Sequence, residues 1–333
     1  MPNTITNSVE SPKPMQADCP GAPWELKLIC PIHRLPLQSG SDGALNCANG
    51  HAFQYVDDVL CMLAEKDEFY EGAYLNHVKF RPRSEAIWHC WPLWVMCNGY
   101  PWMVRKHIPA SSVVVELGCA GGVDYFAQRY KMIGLDLSQR SLAKANGAYV
   151  ARIQADAAQC IPLADGSVDA VISSYFWEHM QPIVKDKILA ECRRVLRPNG
   201  KLVFLYDIET CNPLIGHFRK QRQDLYRKLF LEGDGHIGYQ TPRANLEVIR
   251  NAGFKIVAQA PMEKTALQSP SVYSKLAQFG LRFSPLFKHL DSWATGRLFY
   301  PYTALVRIAD LLAARTLPDN WARITITVAQ KSN

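Results

Sequence analysis

Short runs dominated by β-branched and other apolar residues recur at Val113–Leu117, Met132–Leu135, Val168–Ile172 and Leu202–Leu205. That pattern predicts strands buried on both faces of a parallel sheet, with helices on either side. Ala322–Val328 differs: it alternates at period two and predicts a strand with two unlike faces. Helical spacing appears in Phe218, Leu225, Tyr226 and Leu229, and again in Leu305, Ile308, Leu311 and Leu312, each set predicted to form one apolar helix face. Arg219, Lys220, Arg222, Arg227 and Lys228 fall on the outer face of the first of these.

The ends of the predicted strands carry the chemistry. Val113–Leu117 contains Glu116 and runs into Gly118-Cys119-Ala120-Gly121-Gly122, the way a parallel strand delivers its carboxyl end to a bound cofactor. Met132–Leu135 ends at Asp136, placed for ribose hydroxyls. The dinucleotide pattern Gly-x-Gly-x-x-Gly fails, because Ala120 and Val123 occupy two of its glycine positions. Glu116 would also repel a pyrophosphate and suits a ligand with a positive end. Any one of these turns is equally an ordinary strand-to-helix connection; the ordered set is not.

The stretch from Glu116 to Gly122 resembles the first motif of the class I S-adenosylmethionine-dependent methyltransferases, with Ala120 at the middle glycine. The resemblance continues in order through Ile153-Gln154-Ala155-Asp156-Ala157, Ile161–Ile172 and Arg193–Leu205, and covers roughly residues 111 to 262 plus the last strand. It implies a doubly wound α/β fold with a seven-stranded sheet. The antiparallel last strand, Ala322–Val328, would pair with Phe254–Val257. It further implies that Glu116, Gly118, Cys119, Ala120, Gly121 and Gly122 hold the methionine part of S-adenosylmethionine. Asp136 and Leu137 would take the ribose side, Asp156 and Ala157 the adenine, and Ser174 would border the site.

Residues 1–25 are polar and Pro-rich, read as a disordered tail. In 26–65, Cys30-Pro31-Ile32-His33 and Cys47-Ala48-Asn49-Gly50-His51 put two ligand pairs in tight turns. Such pairs suit tetrahedral zinc, which would supply folding energy to a segment with little core. The segment resembles the zinc module of the ribosomal RNA guanine-N1 methyltransferases, with His33 in place of a cysteine, and predicts a small zinc-ribbon-like module with structural zinc at Cys30, His33, Cys47 and His51. Residues 66–110 carry Phe69, Tyr70, Tyr74, Trp88, Trp91, Trp94, Tyr100 and Trp102 and are expected to form a helical cap. Residues 111–333 form the core, with a helical insertion at 263–319 that includes Phe279, Phe283, Phe287 and Trp293. There is no internal repeat.

Composition narrows the picture a little. The chain has 333 residues, 48% apolar, and a net charge of +7, which permits an anionic partner without requiring one. No window reaches the roughly 18 consecutive apolar residues of a membrane span, and no leader pattern opens the chain. Ten cysteines without one are expected to be reduced thiols in a cytoplasm.

The acceptor side is read from two loops. Ser173–His179 follows the fourth strand and offers Tyr175, Glu178 and His179 as catalytic candidates, His179 as the candidate base. Asp207 ends the fifth strand, and the glycine-spaced loop Glu232–Tyr239 carries Asp234, His236 and Tyr239 as substrate-binding candidates. The expected function is methyl transfer to a small molecule, because the Glu178-His179 element resembles small-molecule members of the family. An RNA base methyltransferase and a non-catalytic cofactor-binding scaffold stay as alternatives. Oligomeric state is not legible.

Overall fold

The computed structural model describes residues 25–41, 43–63, 65, 68–73, 99–145, 149–280, 299–313 and 316–332. The predicted tail, most of the aromatic stretch (Tyr74, Trp88, Trp91 and Trp94 included) and the insertion residues 281–298 lie outside them. Eleven strands run β1 (Leu37–Ser39), β2 (Leu45–Cys47), β3 (Ala52–Val56), β4 (Val59–Cys61), β5 (Val113–Leu117), β6 (Lys131–Asp136), β7 (Ala151–Gln154), β8 (Val168–Ser174), β9 (Leu196–Asp207), β10 (Phe254–Met262) and β11 (Ile324–Lys331). They form one sheet in the order β1-β2-β3-β4-β7-β6-β5-β8-β9-β11-β10. Strands β4 to β9 pair in parallel across this order, and β11 pairs antiparallel with both β9 and β10. The order reverses between β5 and β8, the switch point outside which α/β sheets bind their ligands.

The expected seven-stranded sheet is therefore an eleven-stranded one. β4 lies parallel to β7, with Leu60 opposite Ile153 and Cys61 opposite Gln154, and Met62 N donates to Gln154 O at 2.9 Å. Val59 and Leu60 are fully buried, so β4 covers main-chain groups that β7 would otherwise expose at an edge. The N-terminal strands are thus continuous with the core sheet and not a separate ribbon-like module. Arg34 ties the same segment to the core from the side, bonding Glu191 at 2.8 Å. Glu191 also takes Arg194 and the Ile161 N–H.

Helices cover both faces: α1 (Gly99–His107), α2 (Asp124–Arg129), α3 (Gln139–Lys144), α4 (Pro182–Val195), α5 (Pro213–Gln221), α6 (Pro242–Asn251), α7 (Pro270–Ala277) and α8 (Phe299–Ala313). Val113, Val115 and Leu117 pack with Ile188, Leu189 and Ile249 of α4 and α6. Val114 packs on the other face with Tyr100, Met103, Phe126 and Leu142. Because side chains alternate along a strand, Glu116 belongs to this second, apolar layer.

A satellite cluster joins Ile215 and Phe218 of α5 to Tyr226, Phe230 and, in α7, Val272 and Leu276. It makes a lobe beyond the carboxyl end of β9. The expected single helix through Phe218–Leu229 is broken at Arg222 and continues as a wider turn over Arg227–Glu232. In α8 the buried face is opposite to the one expected. Leu305, Ile308, Leu311 and Leu312 are exposed while Val306 and Asp310 are buried. Asp310 decides this by accepting the Glu263 and Lys264 N–H groups at 2.6 and 2.9 Å. Among the described residues no helix is long and apolar enough to cross a membrane.

Candidate active site

Between β5 and α2 the chain turns left-handed three times, at Gly118 (φ 62°), Ala120 (φ 45°) and Gly122 (φ 69°). Glycine is needed twice for space as well as for angle. A Cβ on Gly118 would lie 2.7 Å from the Phe176 ring, and one on Gly122 would lie 2.9 Å from the Tyr149 ring. Main-chain bonds set the rest of the loop, Gly118 N to Leu135 O at 2.9 Å and Gly122 N to Cys119 O at 2.7 Å. Cys119 is buried and its thiol donates to Ala120 O within the loop at 3.7 Å.

Two carboxylates hold this loop from beneath. Asp136 accepts Ala120 N and Ser138 N, both at 2.9 Å. Glu116 accepts the Tyr149 hydroxyl, which itself accepts Val123 N at 2.9 Å. Glu116 is buried, so its role here runs through Tyr149 to the loop and not through an open surface. Burial pushes its pKa up from 4.5 to about 7, against the Tyr149 bond and with help from Asp136. Burial likewise raises the Asp136 carboxyl, opposed by its backbone bonds. Leu137 is half-buried beside it and accepts Gln154 Nε2 at 2.9 Å. Asp156 caps its own turn through Ala158 N at 2.8 Å, and the buried Ala157 lies in that turn after β7. Ser174 closes β8.

Glu71 is a residue the sequence reading missed. It accepts Gln139 N, Arg140 N at 3.3 Å and Gln154 Nε2 at 3.3 Å, and so caps α3 beside Asp136. Its neighbours in sequence are aromatic and give no sign of this. Tyr149 was missed for the same reason: a lone tyrosine before a strand reads as packing.

A cavity of about 470 Å³ opens at the carboxyl ends of β8 and β9. It brings together seven residues expected from separate segments: Tyr175, Glu178, His179, Asp207, Asp234, His236 and Tyr239. Tyr175 is left-handed (φ 53°) and precedes Phe176, the residue over Gly118, so the loop after β8 touches both the glycine loop and the cavity. Glu178 is 1% exposed and neither carboxylate oxygen has a hydrogen-bond partner. Burial raises its pKa strongly, Asp207 adds to this, and the nearby backbone amides of Glu178 and Asp207 only temper it. His179 Nδ1 lies 3.0 Å from Gly235 O. His236 Nε2 lies 3.8 Å from Asp207, its ring stacks on Tyr239, and burial lowers its pKa.

Cations that the sequence reading passed over organise this rim. Arg323 is buried against Asp207 at 2.9 Å and Glu263 at 2.7 Å. Lys275 of α7 pairs with Asp234. Lys185, fully buried in α4, donates to Gly238 O at 2.7 Å, Gln240 Oε1 at 3.0 Å and Asn245 Oδ1 at 3.1 Å. Its pKa falls to about 8 through burial. Gly238 N in turn donates to Glu178 O at 2.8 Å, which clamps the 232–240 loop onto the loop after β8.

The third group is N-terminal. His33 Nδ1 lies 3.9 Å from Cys30 Sγ, 3.5 Å from Cys47 Sγ and 3.4 Å from His51 Nδ1. Zinc bonds of about 2.0–2.1 Å to nitrogen and 2.3 Å to sulfur separate tetrahedral ligands by roughly 3.3–3.8 Å. Cys30, His33 and Cys47 each bring one ligand atom within 4.8 Å of the others, and His51 lies against His33 but outside that group.

Residues 115–204 match the family model described as a methyltransferase domain. A search of curated proteins finds no match to the chain. Among solved structures the chain is similar to phosphoethanolamine N-methyltransferase 2 of Haemonchus contortus, at 17% identity and TM-score 0.44, covering 72% of this chain and 53% of that one. It thus spans about half that enzyme's length. It is also similar to geranyl diphosphate C-methyltransferase of Streptomyces coelicolor, at 13% identity and TM-score 0.44, covering 69% of this chain and 74% of that one.

The buried Glu116 gives the fold a pH signature. Between 4.5 and about 7 the native state keeps a proton that the unfolded chain has released. The unfolded state then binds fewer protons, so stability falls as pH rises through that window, by on the order of 3 kcal/mol in all. Glu116→Gln keeps an acceptor for Tyr149 and removes the titration. Unfolding followed from about pH 5 to 8 without ligand should show the wild type losing stability relative to the variant, and parallel profiles would contradict this assignment.

Proposed function

We propose that this S-adenosylmethionine-dependent methyltransferase passes its methyl group to a small-molecule acceptor in the cavity at the ends of β8 and β9. The observation that carries the reading is the adjacency of two features. The domain match at 115–204 covers the glycine loop, and Phe176, packed on that loop, neighbours Tyr175 in the cavity wall. The loop 118–122 would hold the methionine part, with Asp136 bonding the ribose through its remaining lone pairs and Asp156 meeting the adenine. Leu137 and Ala157 would be apolar walls, and Ser174 would border the methyl.

Methyl transfer is an in-line displacement: the acceptor atom bonds the methyl carbon while the S–CH3 bond breaks and sulfur keeps its electron pair. A good leaving group makes positioning the main task, worth about 7–11 kcal/mol of the barrier. The acceptor's proton leaves at the rim formed by Tyr175, Glu178 and His179. Asp207, Asp234, His236 and Tyr239 would hold the acceptor itself. An RNA acceptor is disfavoured by the basic face of 219–228, where Arg219, Arg222 and Arg227 are ion-paired with Glu209, Asp224 and Glu232. A scaffold without turnover is disfavoured by the buried, unpartnered carboxylate at the cavity, since such a group costs stability without a task.

We further propose structural zinc at Cys30, His33, Cys47 and His51. The ion would join the turn before β1 to the turn between β2 and β3 and so stiffen the strands that extend the sheet.

Two tests follow. Incubated with methyl-labelled S-adenosylmethionine and an extract of the source organism, the protein should place label in the low-mass fraction; label in RNA would overturn the acceptor assignment. Modification of the thiols of purified protein with a mercurial should release close to one equivalent of zinc, and Cys47→Ser should release little. No zinc released from the wild type would contradict the tetrahedral site.

A further inference from the structure

Glu178, His179 and His236 each bring one ligand atom to a common point, all within 4.8 Å of one another. They come from two loops, and each is presented in a way that leaves a lone pair unused. A carbonyl oxygen only accepts, so His179 Nδ1, 3.0 Å from Gly235 O, carries the ring's hydrogen and Nε2 is left bare. His236 faces Asp207 through Nε2 at 3.8 Å, while its buried Nδ1 has no partner. His179 therefore has an acceptor behind one nitrogen and a free lone pair on the other, and His236 takes the same form in the tautomer that turns its N–H toward Asp207, the outer-shell arrangement that orients histidine ligands on metals.

Glu178 makes the case from the opposite side. It is 1% exposed with both oxygens unpartnered, and an unpaired buried carboxylate is costly. Lys185, whose charge Glu178 feels, gives its hydrogen bonds to Gly238, Gln240 and Asn245 and not to that carboxyl. Arg323 is spent on Asp207 and Glu263, and Lys275 on Asp234. What the three side chains lack in common is positive charge.

We infer that Glu178, His179 and His236 form a binding site for a divalent first-row transition cation, with Asp207 and Gly235 O as its outer shell and its open positions facing the cavity. Two imidazoles and one carboxylate favour such an ion over magnesium or calcium, which prefer oxygen. The inference deepens the proposed acceptor site and rests on that reading only for its use. An ion there selects an acceptor that offers it an oxygen, and it makes His179 a ligand in place of the free base expected from the sequence. Lys185 acts as a positioning residue, because it holds the loop that carries His236 against Glu178.

The test uses full-length protein, dialysed with a mild chelator until its metal content is constant and then titrated with cobalt(II). The expected result is one equivalent of cobalt with the weak visible bands of a nitrogen–oxygen site and no thiolate charge-transfer band, which separates it from the cysteine site. Glu178→Gln and His236→Gln should each weaken this binding at least tenfold while leaving the thermal midpoint within a few degrees. Absence of that cobalt spectrum in the wild type, or unchanged affinity in both variants, would overturn the site. Calorimetric binding of S-adenosylmethionine to the same preparations reports on the methyltransferase reading independently, so the two cannot fail unnoticed together.

Discussion

One hydroxyl governs the centre of this molecule. The Tyr149 OH donates to the buried Glu116 carboxylate and accepts the Val123 N–H, joining the middle of the sheet to the far end of the glycine loop. The ring reaches this position because Gly122 and Gly134 have no side chains, and a Cβ on either would press on it. Held at Val123 by Tyr149 and at Ala120 by Asp136, the loop keeps three left-handed residues, one of them an alanine. Strain of that kind persists only where the surroundings over-determine it.

The same economy of contact links the glycine loop to the cavity at the ends of β8 and β9. Phe176 fills the space over Gly118, and its neighbour Tyr175 faces the cavity. A shift in the loop after β8 is thereby felt on both sides. Lys185 then fastens the second loop, through Gly238 O, to the helix that follows the first. Burying its ammonium is costly, and three acceptors with the Trp177 face at 4.9 Å offset that cost. At the other end of the sheet, Glu191 gathers Arg34, Arg194 and Ile161 N, so the N-terminal strands are anchored by charge as well as by the β4–β7 ladder.

How far this was legible follows from the length of each signal. Core strands and the glycine loop stood out because uninterrupted apolar runs ended in acids and glycines. The cavity residues were legible as two polar loops at strand ends, although nothing in sequence said that residues 178 and 236 would meet. β4 was not legible, because three residues cannot display a period; its place comes from the exposed edge of β7. The face of α8 was misjudged because hydrophobic spacing outweighed Asp310, whose two backbone bonds fix the opposite side. Tyr149, Glu71, Lys185 and Arg323 left no trace, since a single polar residue acquires its role only from a tertiary partner.

The Tyr149 hydroxyl is expected to shape the glycine loop for its ligand. Tyr149→Phe keeps the ring against Gly122 and Gly134 and deletes only the two bonds. Titration calorimetry with S-adenosylmethionine should find binding to the wild type and at least tenfold weaker binding to the variant, equivalent to about 1.4 kcal/mol, with the fold retained by circular dichroism. Equal affinities in the two proteins would contradict the account.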